Sequence, residues 1–139
     1  MLGGLYEVLL SSDETDGKST IIQLTVPPGM GPPPHAHTGS ESVYVVDGTL
    51  KFHIGDETIE GGPGSMFHFP PGMLENFEPT STVRLVANYS PGGIEKFFAE
   101  AGDPAQEREL PPPPTTPPDI ARLVEIGARY GVSIQPPGG

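Results

Sequence analysis

The chain has no cysteine, and only 7 of its 139 residues are lysine or arginine. Without cysteine there is no disulfide framework, no thiolate metal site and no thiol nucleophile, so any metal must be held by His, Asp or Glu. The few cations face 18 Asp and Glu, which leaves a formal net charge of −11. That balance opposes nucleic acid and anionic membranes, both of which select basic surfaces, and it keeps a small protein soluble. No apolar run approaches the ~20 residues of a membrane span. The opening residues, Met1 to Glu7, carry no basic stretch followed by an apolar core, so a secretory signal is not expected. A Ser-His-Asp triad, a phosphate loop and a dinucleotide fingerprint are likewise missing. The expectation is a cytoplasmic protein with a small-molecule partner and neither a nucleic-acid nor a membrane partner.

Glycine and proline are plentiful, at 19 each, which favours many turns and short strands over long helices. Runs rich in β-branched and aromatic residues at 20–26, 42–46, 49–54, 57–59, 66–69 and 83–88, with a weaker one at 6–10, read as strands. Their separators are turn formers, among which Asp47-Gly48 and Gly55-Asp56 read as hairpin signals. Such spacing predicts an all-β sandwich or barrel. Beyond it, Ser90-Pro91 reads as an N-cap with proline in the first helical turn. Ile94, Phe97, Phe98 and Ala101 then repeat at helical spacing up to Gly102. A Pro-rich spacer over 103–118 leads to a second helix opening at Pro118-Asp119, with Ile120, Leu123, Val124 and Gly127 on one face. The expected organisation is a barrel with its first helix over 1–102. Over 103–139 a linker and C-terminal helix pack on the barrel or on a partner subunit.

The chemistry concentrates in one stretch, from Gly29 to Gly48. In a strand, residues two apart share a face, so His35 and His37 project together. Thr38-Gly39-Ser40 permits a turn that brings Glu41 back beside them. Two imidazoles and a carboxylate facing inward make a facial triad with open positions for substrate and O₂, suited to Fe(II) and related divalent ions. Pro32, Pro33 and Pro34 are expected to form an extended edge at the mouth.

These residues resemble the first cupin motif, G-x5-H-x-H-x3-E-x6-G, at Gly29, His35, His37, Glu41 and Gly48. The second cupin motif, G-x5-P-x-G-x2-H-x3-N, is matched at Gly64, Pro70 and Gly72, but Glu75 stands in place of its histidine and Pro79 in place of its asparagine. The similarity extends over roughly residues 15–135 and is strongest to small bacterial cupins of the quercetin-dioxygenase-like group. The resemblance implies a jelly-roll-like double-stranded β-barrel with two short C-terminal helices, commonly a homodimer. It also implies a divalent transition metal such as Fe, Mn, Ni or Zn on the two histidines, the glutamate and the motif-two position. Activities in the family run from dioxygenation to isomerisation, cyclisation, decarboxylation and plain ligand binding, so membership does not fix function.

Glu75 opens three readings. It is a fourth metal ligand beside His35, His37 and Glu41, or a general base near the metal, or the mark of a site that has lost its metal and only binds a ligand. His68 joins it as a candidate acid/base group or replacement ligand if Met66 and His68 face the cavity; otherwise it points outward or bonds within the barrel. His53 reads as exposed. The expected function is a metal-dependent cupin enzyme acting on a small organic, polyphenol- or polyketide-like substrate, foremost a quercetinase-like dioxygenase. The alternatives are a non-redox isomerase or cyclase and a non-catalytic ligand-binding cupin.

Overall fold

The computed structural model describes residues 3–103, 110, 111, 114 and 117–135. Ten strands and two helices follow the chain as β1 (Leu5–Leu10), β2 (Thr20–Val26), β3 (His35–His37), β4 (Ser40–Asp47), β5 (Leu50–Ile54), β6 (Glu57–Gly61), β7 (Met66–Phe69), β8 (Glu75–Pro79), β9 (Val83–Ser90), α1 (Ile94–Ala101), α2 (Ile120–Arg129) and β10 (Val132–Ile134). The strands form two five-stranded antiparallel sheets, β1-β2-β9-β4-β7 and β10-β3-β8-β5-β6. The two antiparallel sheets bear out the all-β sandwich or barrel that the turn-rich sequence predicts, and the jelly-roll-like double-stranded form with two short helices that the cupin resemblance implies. Among the described residues no helix is long and apolar enough to cross a membrane. The greater part of the expected Pro-rich spacer lies outside the described residues.

Period-two alternation builds the core. Ile22, Leu24 and Val26 of the first sheet lie within one pleat, beside Val83, Leu85 and Ala87 of β9 and Val43 and Val45 of β4. Leu50 and Phe52 face them from the second sheet. Each fully buried aliphatic or aromatic side chain stabilises the fold by roughly 1.5–3 kcal/mol relative to exposure. Two of these inward rows end in carboxylates rather than hydrocarbon: Glu41 on β4 and Glu75 on β8.

Several local expectations are corrected. Asp47-Gly48 is not a hairpin turn: β4 and β5 lie in different sheets, so it is a corner, and Gly48 adopts φ 84 there. A Cβ at Gly48 would stand 2.3 Å from the Thr82 carbonyl oxygen, so only glycine lets the chain pass. Gly55-Asp56 does join the paired strands β5 and β6. Ser90-Pro91 does not cap α1, because Ser90 is the last residue of β9 and the helix begins at Ile94 after Gly93. α2 opens at Asp119, whose side chain accepts the Arg122 amide. Strands β8 and β10 were not expected. Pro32, Pro33 and Pro34 lie outside any strand, just before β3, with Pro32 and Pro33 lining the cavity.

α1 is fastened to the barrel by Glu95, whose carboxylate accepts hydrogen bonds from the Ser12 amide (2.7 Å), the Ser12 hydroxyl and the Thr20 hydroxyl (2.7 Å). α2 is fastened to α1 by Arg122, which donates to the Glu100 and Ala101 carbonyls, and by the Tyr130 hydroxyl, which donates to Glu100 Oε2 at 2.6 Å. Burial tends to raise the Glu95 carboxyl, but these three hydrogen bonds outweigh it and hold the pKa at about 2. The folded pKa lies below the ordinary carboxyl value, so this anchor stabilises the fold fully above about pH 4.5 and loses its contribution as pH falls toward 2. Replacing Glu95 by Ala is expected to lower stability by about 1–3 kcal/mol at neutral pH. In denaturant titrations the deficit relative to wild type should shrink between pH 4.5 and 2.

Candidate metal centre

The centre is assembled from both sheets. β3 and β8 pair antiparallel with His35 directly opposite Glu75, which sets an imidazole and a carboxylate side by side on the inner face. His37 follows two residues later on the same face. The chain then crosses to the other sheet through Thr38-Gly39, where a Cβ on Gly39 would lie 2.5 Å from the Ser90 carbonyl oxygen. Glu41 therefore approaches the histidines from the facing sheet, and β4 does not return as a hairpin neighbour of β3.

His37 Nε2 lies 3.0 Å from Glu41 Oε2 and 3.8 Å from Glu75 Oε1, and His35 Nε2 lies 3.4 Å from Glu75 Oε1. One donor atom from each of His35, His37, Glu41 and Glu75 lies within 4.8 Å of the other three. Glu41 and Glu75 are buried and the two histidines nearly so. His35 Nδ1 is 2.9 Å from the Pro33 carbonyl oxygen. A carbonyl only accepts, so the proton sits on Nδ1 and the Nε2 lone pair is turned to the cluster. Fixing a tautomer in this way is what outer-shell partners of metal-binding histidines do.

Three buried atoms in the cluster make no hydrogen bond among the described residues: His37 Nε2, Glu41 Oε2 and Glu75 Oε2. The 3.0 Å approach of His37 to Glu41 is therefore a close contact in the wrong direction for a hydrogen bond. Buried polar atoms are rarely left unpartnered. Three of them converging, with two imidazoles and two carboxylates as the donor set, fit a divalent cation whose charge the carboxylates would balance.

Electrostatics agree with that fit. Burial pushes Glu75 well above the ordinary carboxyl range, and the neighbouring Glu41 charge adds to the push. Burial also tends to raise Glu41, but the close polar approach of His37 and Glu75 and the charges of both histidines bring it below its usual value. Without a cation the carboxylates thus behave as an unequal pair, Glu41 ionised and Glu75 neutral. Burial, with His37 beside it, lowers His35 and favours the neutral imidazole that ligates metals.

The cluster lines a cavity of about 60 Å³. Among the other residues around it are Phe52, Phe69, Phe77 and Leu85 from the sheets, Phe97 and Phe98 from α1, Leu123 from α2 and Val132 and Ile134 from β10. Among the described residues, no lysine or arginine lines it.

A family model described as the cupin domain matches residues 22–87. Residues 22–87 form a cupin domain. Solved structures with the same fold include an RmlC-like cupin from Shewanella frigidimarina NCIMB 400, at 18% identity and TM-score 0.62 over 69% of this chain and 83% of that one. The polyketide cyclase RemF from Streptomyces resistomycificus is similar at 24% identity and TM-score 0.58, over 63% and 65% of the two chains. KdgF from Halomonas sp. is similar at 17% identity and TM-score 0.62, over 68% and 85%. At these identities the likeness is one of fold. No curated protein matches the chain.

Within the cupin, the structure brings together four of the five residues singled out in the sequence. His68 is the exception and is corrected here. On β7 the inward pleat belongs to Phe67 and Phe69, with Phe69 buried, while Met66 and His68 are exposed on the outer face. His68 Nδ1 instead meets the Ser42 hydroxyl of its cross-strand neighbour at 2.9 Å. His53, expected to be exposed, is half-buried between Thr58 (2.9 Å) and Glu78 (3.3 Å) on the outside of the second sheet. Sequence reasoning passed over Tyr6 and Tyr89, which both line the cavity. Tyr89 stands opposite Glu41 in the β4–β9 register, with its ring edge-on to His37 at 5.4 Å between centroids. The signal available for it was parity alone: it continues the inward row of Val83, Leu85 and Ala87.

Protein purified without chelator is expected to carry about one divalent transition metal ion per chain by elemental analysis. Glu75→Gln removes an anionic donor and should weaken metal affinity by about tenfold or more, read as a smaller rise in Tm on metal addition. His68→Ala should leave metal content and affinity at wild-type values.

Proposed function

We propose that this chain is a metal-dependent cupin enzyme acting on a small, largely apolar organic molecule. The observation that carries the reading is the convergence of His35, His37, Glu41 and Glu75 on one side of a cavity otherwise walled by aliphatic and aromatic side chains. A divalent ion held by those four residues would polarise a substrate oxygen and, if it is a redox metal such as iron or manganese, give access to O₂ chemistry.

The chain's own side chains supply the rest. The aromatic walls orient a flat substrate and keep water from the reacting atoms. Among the described residues no lysine or arginine lines the cavity to receive a substrate carboxylate or phosphate, and two carboxylates with one divalent charge make a site without excess positive charge. Both features favour an uncharged substrate. A carboxylate oxygen of Glu75 or Glu41, buried beside the substrate position, accepts the proton of a substrate hydroxyl or activated carbon.

Size refines the substrate. The cavity of about 60 Å³ is less than half of the roughly 150 Å³ that encloses a benzene in an engineered protein cavity. Even a single ring must therefore sit partly in the mouth or part the α1 and β10 walls to reach the cluster, and a polyphenol would leave its remaining rings outside. Dioxygenation of a hydroxylated aromatic, quercetinase-like in reaction type, is the primary reading. A non-redox isomerisation or cyclisation is the second, supported by the paired carboxylates, which form an acid–base couple without any need for O₂. A homodimer accompanies the proposal, supported by the exposed cross-strand pair Tyr44 and Met66 on the outer face of the first sheet.

Oxygen-electrode measurements with metal-loaded protein and a panel of hydroxylated aromatics test the reading. Substrate-dependent O₂ uptake is expected, and turnover without uptake moves the assignment to the isomerase or cyclase form. Glu75→Gln should lower turnover by about 10²-fold or more, the usual worth of a positioned base. Full activity in that variant, or the absence of bound metal in wild type, would refute the proposal.

A further inference from the structure

Outside the four clustered residues, the polar side chains around the cavity are Tyr6, Asn76 and Tyr89. Asn76 belongs to the outward pleat of β8, between inward Glu75 and Phe77, and its cross-strand neighbour is His53. The phenols are therefore the neutral donors available to a bound molecule, and they differ. Tyr89 is buried, sits opposite Glu41 in the β4–β9 register and packs edge-on to His37, within the cluster itself. Tyr6 is half-buried on β1, and its hydroxyl has no hydrogen-bond partner among the described residues.

The backbone is built around the Tyr6 ring. A Cβ at Gly4 would lie 2.8 Å from the Tyr6 ring edge, so glycine at that position makes room for it. On its other side Phe98 of α1 packs edge-on, with centroids 4.8 Å apart. A ring fixed from two sides aims its hydroxyl in one direction without the usual loss of rotamer freedom on binding. Burial, reinforced by the Glu41 charge, keeps the phenol protonated and therefore a donor.

We infer that Tyr6 is the specificity-determining donor of this site, receiving the oxygen of an uncharged aromatic ligand and discriminating hydroxylated rings from their bare counterparts. The inference rests on the proposed use of the cavity for a small apolar substrate, but it does not depend on the metal. A site that offers a buried donor penalises a ligand that leaves it unpaired. Tyr89 is the contrasting case, because it is buried against the cluster itself, opposite Glu41 and edge-on to His37.

The test compares p-cresol with toluene as probes, by equilibrium binding to wild type and to Tyr6→Phe, each in metal-loaded and chelator-treated form. The readout is the ratio of the two affinities, which cancels the general apolar gain of either ring. Tyr6→Phe is expected to reduce the preference for p-cresol about five- to tenfold, the worth of one hydrogen bond, with toluene affinity, metal content and Tm unchanged. An unchanged ratio, equal weakening of both probes, or failure of wild type to bind either would overturn the inference. Since the ratio is read with and without metal, a preference that survives in protein unable to take up metal sinks the metal-enzyme reading and leaves this one standing. Loss of the preference on Tyr6→Phe folding defects is excluded by unchanged toluene binding.

Discussion

Everything in this structure is arranged around two carboxylates held out of water. An isolated ionised carboxylate in a protein interior carries a penalty of several kcal/mol, and here two lie side by side, Glu41 from one sheet and Glu75 from the other. The barrel tolerates them because the two imidazoles stand beside them and because one of the pair can remain protonated. A cation relieves the same penalty more completely. The binding energy of such a site is thus stored in the fold as unfavourable burial and released on loading, much as buried ligand sets couple metal to stability elsewhere.

Register explains how short the distances are. His35 faces Glu75 across a single strand pair, so their separation is set by the backbone ladder and not by flexible side chains. Glu41 and Tyr89 are joined in the same way on the opposite sheet. A one-residue slip in either pairing would turn the functional row to the outer surface. The apolar parts of those rows, Val43 and Val45 beyond Glu41 and Phe77 beyond Glu75, guard against it, because slipping would expose them as well. Core packing and site geometry are consequently one constraint.

How much of this was legible in the sequence depended on whether a signal was local. The Thr20–Val26 strand announced itself by its β-branched residues and alternation, and His35, His37 and Glu41 by spacing. β8 did not, since Glu75-Asn76-Phe77-Glu78-Pro79 holds one apolar side chain among polar ones; it is a strand because it is laid between β3 and β5. The inward face of β7 could not be chosen from Met66-Phe67-His68-Phe69, where both pleats look plausible, and it was decided by Phe67 and Phe69 packing near Phe52. Asp47-Gly48 carried the chemistry of a hairpin and served as a corner, for the route after a turn belongs to tertiary packing. Tyr6 was hidden for a similar reason: nothing near it in sequence indicates that β1 reaches the cavity.

One pairing has a consequence for the order of events as the chain folds. The histidine strand is flanked on one side by β10, whose Val132 pairs with His37 and Ile134 with His35. The partners are some 95 residues apart along the chain (132 less 37). Closing so long a loop costs configurational entropy before any contact rewards it, and contacts of this separation form late. The ligand set is therefore among the last features to become geometrically defined, after the sheet of β2, β9 and β4 has joined. A nascent or partly folded chain would then hold its histidines on a strand with an unpaired edge, and completion of the barrel and competence to capture an ion would arrive in the same step.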